Sequence, residues 1–260
     1  MAASTLQHAL NEVAINDTDP AGEQYRALSL ESAGKLQERF GLQRRTVELE
    51  ALREGIVPRR YQRSIGTIGI EGQIKLLETR AAVIGAGGLG GLVVELLARM
   101  GVGALTVADG DHFSDSNLNR QLLAAEEDLG VNKAVKARER AVAVNPAVEV
   151  ALFEEFISQA NIDNILEGCS VALDCLDNLS ARFILEAGCQ RMGIPMVHGA
   201  VAGHMGQLAV SWPMTPLAIF RMQTALSSTL ISWLFSSRLT LVSTKAPAST
   251  KSDPSSQGRR

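Results

Sequence analysis

The sequence predicts an α/β fold, a mostly parallel sheet with helices on both faces, preceded by a helical N-terminal extension. Three observations predict it. From Tyr61 onward, short apolar runs of strand length alternate with longer runs of helical period. Glycine punctuates the junctions, most densely in VIGAGGLGG. Before that point, residues 1–57 are polar and charged, without a strong apolar stripe.

Each element follows in order. Residues 1–57 read as a helical extension, with Asp19-Pro20 placed to start a helix and Pro20 at its first position. In the core domain, 58–213, GQIKLLETR predicts an amphipathic helix and AAVIGAG a buried strand. LVVELLARMGVG predicts a helix that Gly101 or Gly103 can end, and ALTVADGD a second strand. Lys133 to Val144 predicts a helix stopped by Asn145-Pro146. VEVALFEEF then reads as strand, ANIDNILEG as helix, SVALDCLDN as strand and RFILEAGCQRMG as helix. PMVHGAV and MGQLAVSWP read as two further strands. Residues 214–260 form an atypical tail whose Ser-, Thr-, Pro- and Lys-rich end reads as disordered.

Composition excludes several classes. With 25 basic and 28 acidic residues and a formal charge of -3, the 260-residue chain has no field with which to hold nucleic acid or an anionic membrane. The uncharged stretch Met222 to Ser237 is shorter than the ~18 apolar residues of a membrane span. Three cysteines, Cys169, Cys175 and Cys189, form no CxxC pair and fit a reducing cytoplasm better than a secreted disulfide framework. No apolar run of signal-peptide type occupies the first thirty residues.

Gly85, Gly87 and Gly90 form G-x-G-x-x-G between a predicted strand and a predicted helix, the Rossmann-like context in which backbone can approach a nucleotide closely. Asp109 ends the next strand about 20 residues onward, where a carboxylate can accept hydrogen bonds from ribose hydroxyls. Dehydrogenases, methyltransferases and adenylating enzymes share this much. The next loop decides between them. Asn117, Arg120 and Gln121 cluster at the carboxyl edge of the sheet, where a guanidinium can form paired bonds to phosphate oxygens. Lys133 opens the following helix, so its ammonium and the helix dipole both attract phosphate. Asp174 and Asp177 end the SVALDCLDN strand, and Asp177 with Asn178 is the better pair to hold the Mg²⁺ that accompanies ATP. Singly, each has a plainer role: a solvated charge for Arg120 or Lys133, a helix cap for Asp177 or Asn178. His198 and His204 flank GAVAG without partner cysteines or carboxylates and receive no role.

At these residues the chain resembles the ThiF/MoeB/HesA-type sulfur-carrier adenylyltransferases, relatives of the ubiquitin-activating enzymes. The likeness runs from about Arg60 to about Pro213 through RYQRSIGTIGIEGQIKL, VIGAGGLGG, GVGALTVADGD, SNLNRQ, the GVNKA lysine, VNP, and LDCLDN followed by Arg182. The resemblance implies that Gly88 contacts ATP, Asp109 holds ribose, and Ser116, Asn117, Leu118, Asn119 and Arg120 lie along the nucleotide. It implies that Lys133 and Asp177 act on phosphates and Mg²⁺. It also implies a homodimer, in which Arg63 reaches the other subunit's ATP site. The implied reaction is attack by the Gly-Gly carboxylate of a ubiquitin-like sulfur-carrier protein on the ATP α-phosphate, releasing pyrophosphate. Members often carry two zinc-binding CxxC pairs and a crossover-loop cysteine. No cysteine follows Cys189 here, which argues against zinc and covalent sulfur transfer. An NAD-dependent oxidoreductase, an adenylating enzyme acting on RNA or a small molecule, and a non-catalytic nucleotide-binding relative are the alternatives.

Overall fold

A computed structural model describes residues 2–19, 21–202, 205–213 and 241–243. The readings of Pro20, His204 and all of the tail except 241–243 lie outside the described residues.

The extension is helical, as expected, but it also contains a small sheet. Helix α1 (Ala2–Val13) leads into strands β1 (Ile15–Thr18) and β2 (Gln24–Leu28), which pair antiparallel. The expected helix start at Asp19 is instead the turn of this hairpin. Asp19 Oδ1 accepts the backbone N–H groups of Ala21 and Glu23, each at 2.8 Å, so the carboxylate closes a turn rather than capping a helix. Helices α2 (Leu30–Phe40) and α3 (Arg44–Arg53) follow, and β3 (Ile56–Pro58) returns parallel to β2. Ser29 caps α2 through the Ser32 amide, and Gly41, at φ 61, ends it in the left-handed region. Leu6, Leu10, Leu28, Leu36, Val47 and Ile56 make one buried cluster.

Helix α4 (Gln62–Glu78) is longer than GQIKLLETR suggested and breaks at Gly69, whose φ of 70 suits glycine. Then come β4 (Arg80–Ile84), α5 (Gly88–Met100), β5 (Ala104–Ala108), α6 (Lys133–Val144) and β6 (Glu149–Phe153). The chain continues through α7 (Ile162–Leu166), β7 (Val171–Asp174), α8 (Leu179–Met192), β8 (Met196–Ala202) and β9 (Met205–Ser211), with β10 at Leu241–Ser243. Their order in the sheet is β10-β9-β8-β7-β4-β5-β6, parallel throughout except for β8 against β9.

Strand alternation divides the core between two faces. Ala81 and Val83 pack with Leu105 and Val107 beneath Val94, Ala98, Ala134, Ala137 and Ala141 of α5 and α6. Ala82 and Ile84 pack on the other side with Ala108 and Ala172, against Ile162 and Ile165 of α7 and Leu185 of α8. Because β5 lies on one side of β4 and β7 on the other, their carboxyl ends open a crevice where ligands bind in such sheets.

Candidate functional site

The glycine loop is shaped by contacts that leave no room for side chains. A Cβ on Gly90 would lie 1.7 Å from the Gly85 carbonyl oxygen, so α5 can start here only on glycine. Gly85 itself, at φ 91, would place a Cβ 2.8 Å from the Cys175 carbonyl oxygen at the end of β7. Thus the loop is pressed against the turn that carries Asp177. On its other side it meets the SNLNRQ segment: Cβ positions on Gly87 and Gly88 would fall 3.7 Å from Gln121 Nε2 and 3.7 Å from the Arg120 carbonyl oxygen.

Asp109 is fixed by the same loop. Its carboxylate accepts the Ala86 N–H at 2.7 Å and the Asp111 N–H at 2.8 Å. Burial pushes its carboxyl above the ordinary carboxylate range, and those two amides together with Lys133 pull in the opposite direction. Asn132 caps α6 through Ala134 and also donates to the Asp109 carbonyl at 3.0 Å, tying the start of α6 to the end of β5. Lys133 is consequently buried, at 5% exposure, with Nζ 2.5 Å from Asp111 Oδ2. This bond holds the Asp111 carboxyl below its usual range.

Asn117 is buried, and its Oδ1 accepts the Ser114 N–H at 3.1 Å in a short 3₁₀ turn. Its Nδ2 is the atom able to donate to a phosphate. Arg120 is exposed, and its Nη1 donates to the Ser116 carbonyl at 2.7 Å and to Asn119 Oδ1 at 3.2 Å, so Ser116 and Asn119 brace the guanidinium. Leu118 presents an exposed apolar side chain between them. Gln121 is 8% exposed, and its buried Oε1 has no hydrogen-bond partner among the described residues. An unmet carbonyl beside the amino terminus of α5 is costly unless something donates to it.

Asp177 is exposed at the crevice, directly after the turn that Gly85 touches. Asn178, read as its partner or as a helix cap, caps α8: its side chain accepts the Ala181 N–H at 2.9 Å. Arg63 is exposed in the first turn of α4, and no hydrogen bond or ion pair among the described residues joins it to the loops above. The structure therefore gathers the glycine loop, Asp109, Ser116 to Gln121, Lys133 and Asp177 around one crevice, and leaves Arg63 outside it.

The sequence reading overlooked two networks. Tyr61 is fully buried; its hydroxyl donates to Glu48 Oε2 at 2.9 Å and accepts from Asn145 Nδ2 at 3.0 Å. Arg60 bonds Asn145 and lies 3.3 Å from Glu48. So the RY of RYQR and the Asn of VNP join the extension to the core. The second network centres on His198, which received no role from the sequence: it is buried with Nδ1 2.5 Å from Asp174 Oδ2. A histidine and an aspartate facing each other on adjacent parallel strands would have been the signal. The cysteines behave as small apolar groups, since burial pushes Cys175 and Cys189 up to about 12 and raises Cys169 as well.

Among the described residues no three His, Cys, Asp or Glu side chains form a metal-holding group, and no helix is long and apolar enough to cross a membrane.

Known proteins match the same region. A profile of the ThiF family matches residues 61–226. The SAMP-activating enzyme E1 of Haloferax volcanii is 39% identical over 159 residues, 60% of this chain and 59% of its own. The sulfur carrier protein ThiS adenylyltransferase of Escherichia coli is 34% identical over 156 residues, covering 59% and 62%. The chain thus spans about three fifths of the length of these relatives. Among solved structures, the E. coli tRNA N6-threonylcarbamoyladenosine dehydratase TcdA in complex with ATP is 30% identical, with a TM-score of 0.54 over 56% of this chain and 61% of that one. PaaA shares the fold at 23% identity and a TM-score of 0.56, covering 71% and 67%. With a profile matching residues 61–226, more than half of its length, the chain belongs to the ThiF family.

Proposed function

We propose that this chain is an ATP-dependent adenylyltransferase that activates the C-terminal Gly-Gly carboxylate of a ubiquitin-like sulfur-carrier protein. One observation carries the reading. The glycine loop and the amino terminus of α5 abut the SNLNRQ segment, where Gln121 leaves a buried carbonyl oxygen without a donor among the described residues. That cradle suits a nucleotide triphosphate better than a hydride donor, because Arg120, Asn117 and Lys133 all present donors suited to phosphate there. The ATP complex of TcdA and the adenylyltransferase names of the relatives support it.

In this reading Asp109 accepts from ribose hydroxyls, and Arg120 and Lys133 neutralise the phosphates while the carrier's carboxylate is aligned with the α-phosphorus. The carboxylate oxygen bonds to that phosphorus as its bond to the bridging oxygen breaks, giving acyl-adenylate and pyrophosphate. Lys133 would exchange part of its bond to Asp111 for phosphate. Mg²⁺ fits one exposed carboxylate, Asp177, because this ion takes most of its remaining ligands from phosphates and water; bound there it would screen the phosphate charge.

The same reading includes a cytoplasmic homodimer with Arg63 reaching the partner's site. Arg63 is exposed, and Leu92, Leu96 and Met100, at helical spacing on α5, are 44%, 49% and 46% exposed. Residues 1–57 would form the extension, 58–213 the adenylation domain and 214–260 a tail, a division supported by the separate apolar cluster of the first segment.

The test is ATP–pyrophosphate exchange with sulfur-carrier proteins ending in Gly-Gly, comparing the full chain with Arg120→Ala and Asp177→Ala. Carrier-dependent exchange lost in both variants is expected. ATP binding without exchange for any carrier would overturn the reading and leave a nucleotide-binding relative. A carboxylate on RNA is the second reading, favoured by the TcdA likeness and opposed by the net charge of -3; exchange stimulated by tRNA alone would select it.

A further inference from the structure

We propose that His198, Asp174 and Arg182 are positioning residues for Asp177, clamping the turn that presents its carboxylate to the nucleotide. The inference rests on the adenylation reading of Asp177 and adds three residues to that site.

Leu176, immediately before Asp177, has both backbone polar groups taken by side chains. Its N–H donates to Asp174 Oδ1 at 3.0 Å, and its carbonyl accepts from Arg182 Nη2. The two clamping side chains also face each other, with Arg182 Nε 3.5 Å from Asp174 Oδ2. His198 completes the set by donating from Nδ1 to the same Oδ2 at 2.5 Å. All three are withdrawn from water: the side chains of Asp174, His198 and Arg182 are 0%, 6% and 14% exposed. A carboxylate so deeply buried persists only with partners, and these come from three elements, β7, β8 and α8.

The network is aimed at the site. Two of its hydrogen bonds converge on the single residue next to Asp177, when any arrangement of the three groups would have neutralised the buried charge. On the other side, β8 pairs His198 with Asp174 in register, and the next residue, Gly199, lies against the glycine-loop helix. A Cβ on Gly199 would sit 2.9 Å from Leu89 Cδ2. One strand therefore touches both the start of α5 and the Asp177 turn, fixing the distance between the phosphate cradle and the carboxylate.

The experiment compares the full chain with His198→Ala and His198→Asn, the latter restoring a short amide donor near the position of Nδ1. Amide hydrogen exchange of 175–181 is followed beside that of α6, and pyrophosphate exchange yields kcat and KM for ATP. In His198→Ala the 175–181 amides should exchange about tenfold faster while those of α6 stay within about twofold, the pattern of a local opening. Kcat should fall about 10- to 100-fold with KM for ATP within about threefold, as for residues that orient a ligand-binding group. His198→Asn should recover most of both.

Exchange raised uniformly across the chain, or unchanged at 175–181, would overturn the clamp. So would loss of kcat without rescue by His198→Asn. If the unaltered chain supports no pyrophosphate exchange, the adenylation reading fails, whereas the amide measurement still decides whether the clamp exists. Should His198→Ala not fold, Arg182→Lys keeps a charge beside Asp174 while withdrawing the donor from the Leu176 carbonyl, and the same outcomes apply.

Discussion

Two polar regions of this chain are built from the same residue types and behave in opposite ways. Around Tyr61, Glu48, Arg60 and Asn145 bond one another inside the protein, with Glu48 fully buried and Asn145 at 1% exposure, although Glu48 Oε1 and Arg60 Nε have no hydrogen-bond partner among the described residues. Along the carboxyl edge of the sheet, Arg120 and Asp177 stay exposed and Gln121 keeps an unmet acceptor. The first region turns its charged groups inward and holds the extension to the core; the second turns them out to solvent. Residue type alone does not separate them, since both supply an arginine, an acid and an amide. Whether the charged groups lie within the fold does.

Substitutions should split the regions, the largest effect first. Removing Glu48 leaves Arg60 without its buried partner, so Glu48→Ala should lower the unfolding free energy by about 4 kcal/mol. Urea denaturation checks this, and a loss under about 1 kcal/mol would mean that the network is incidental to docking the extension. Arg120→Ala should do the reverse. Its unfolding free energy should stay within about 0.5 kcal/mol of the parent, as for a surface residue, while pyrophosphate exchange falls about 100-fold or more. Equal losses of stability and activity would erase the distinction between the regions.

Smaller effects sharpen it. Tyr61→Phe keeps the ring and leaves Glu48 Oε2 and Asn145 Nδ2 each short of one partner, at a cost of about 1.5 kcal/mol. The same variant should bind ATP as the parent does, measured by titration calorimetry. Smallest is a half-exposed cluster elsewhere, where Glu95 bonds both Arg99 and Arg140, at 2.6 and 2.9 Å, across α5 and α6. Bonds from those arginines, Arg140 foremost, lower its carboxyl to about 2 from an unperturbed 4.5. A depressed folded value means stability that is present above pH 4.5 and lost as pH falls toward 2. Both arginines are about half exposed, so the contribution is discounted to about 1 kcal/mol. Glu95→Gln should flatten the pH dependence of the melting temperature in that window; an unchanged slope would place the acid sensitivity elsewhere.

Legibility followed the range of the interactions. The β4–loop–α5–β5 unit was readable because glycine spacing, strand length and helical period are local properties, and the end of α6 was readable because Asn145-Pro146 stops it. The crevice residues were readable as a set for the same reason: each follows a strand or opens a helix. The hairpin of the extension was not, because INDT and QYRAL are polar segments whose pairing is visible only in three dimensions. Tyr61 with Asn145, and Asp174 with His198, are separated by 84 and 24 residues. Asn178 caps its own helix, the plainer of the two roles its position in the sequence offered.

Helix α5 joins the two regions end to end. Its first residues follow the glycine loop, while at its last turn Asn145 Nδ2 donates to the Ala98 carbonyl and Gly101 packs against the Tyr61 ring. Its 13 residues make a rod about 20 Å long. A displacement of the loop that moved α5 as a rigid rod would arrive at Tyr61, and through Glu48 at α3. The extension and the crevice thus share one helix, and a probe fixed to the extension would test whether motion at the site travels along it.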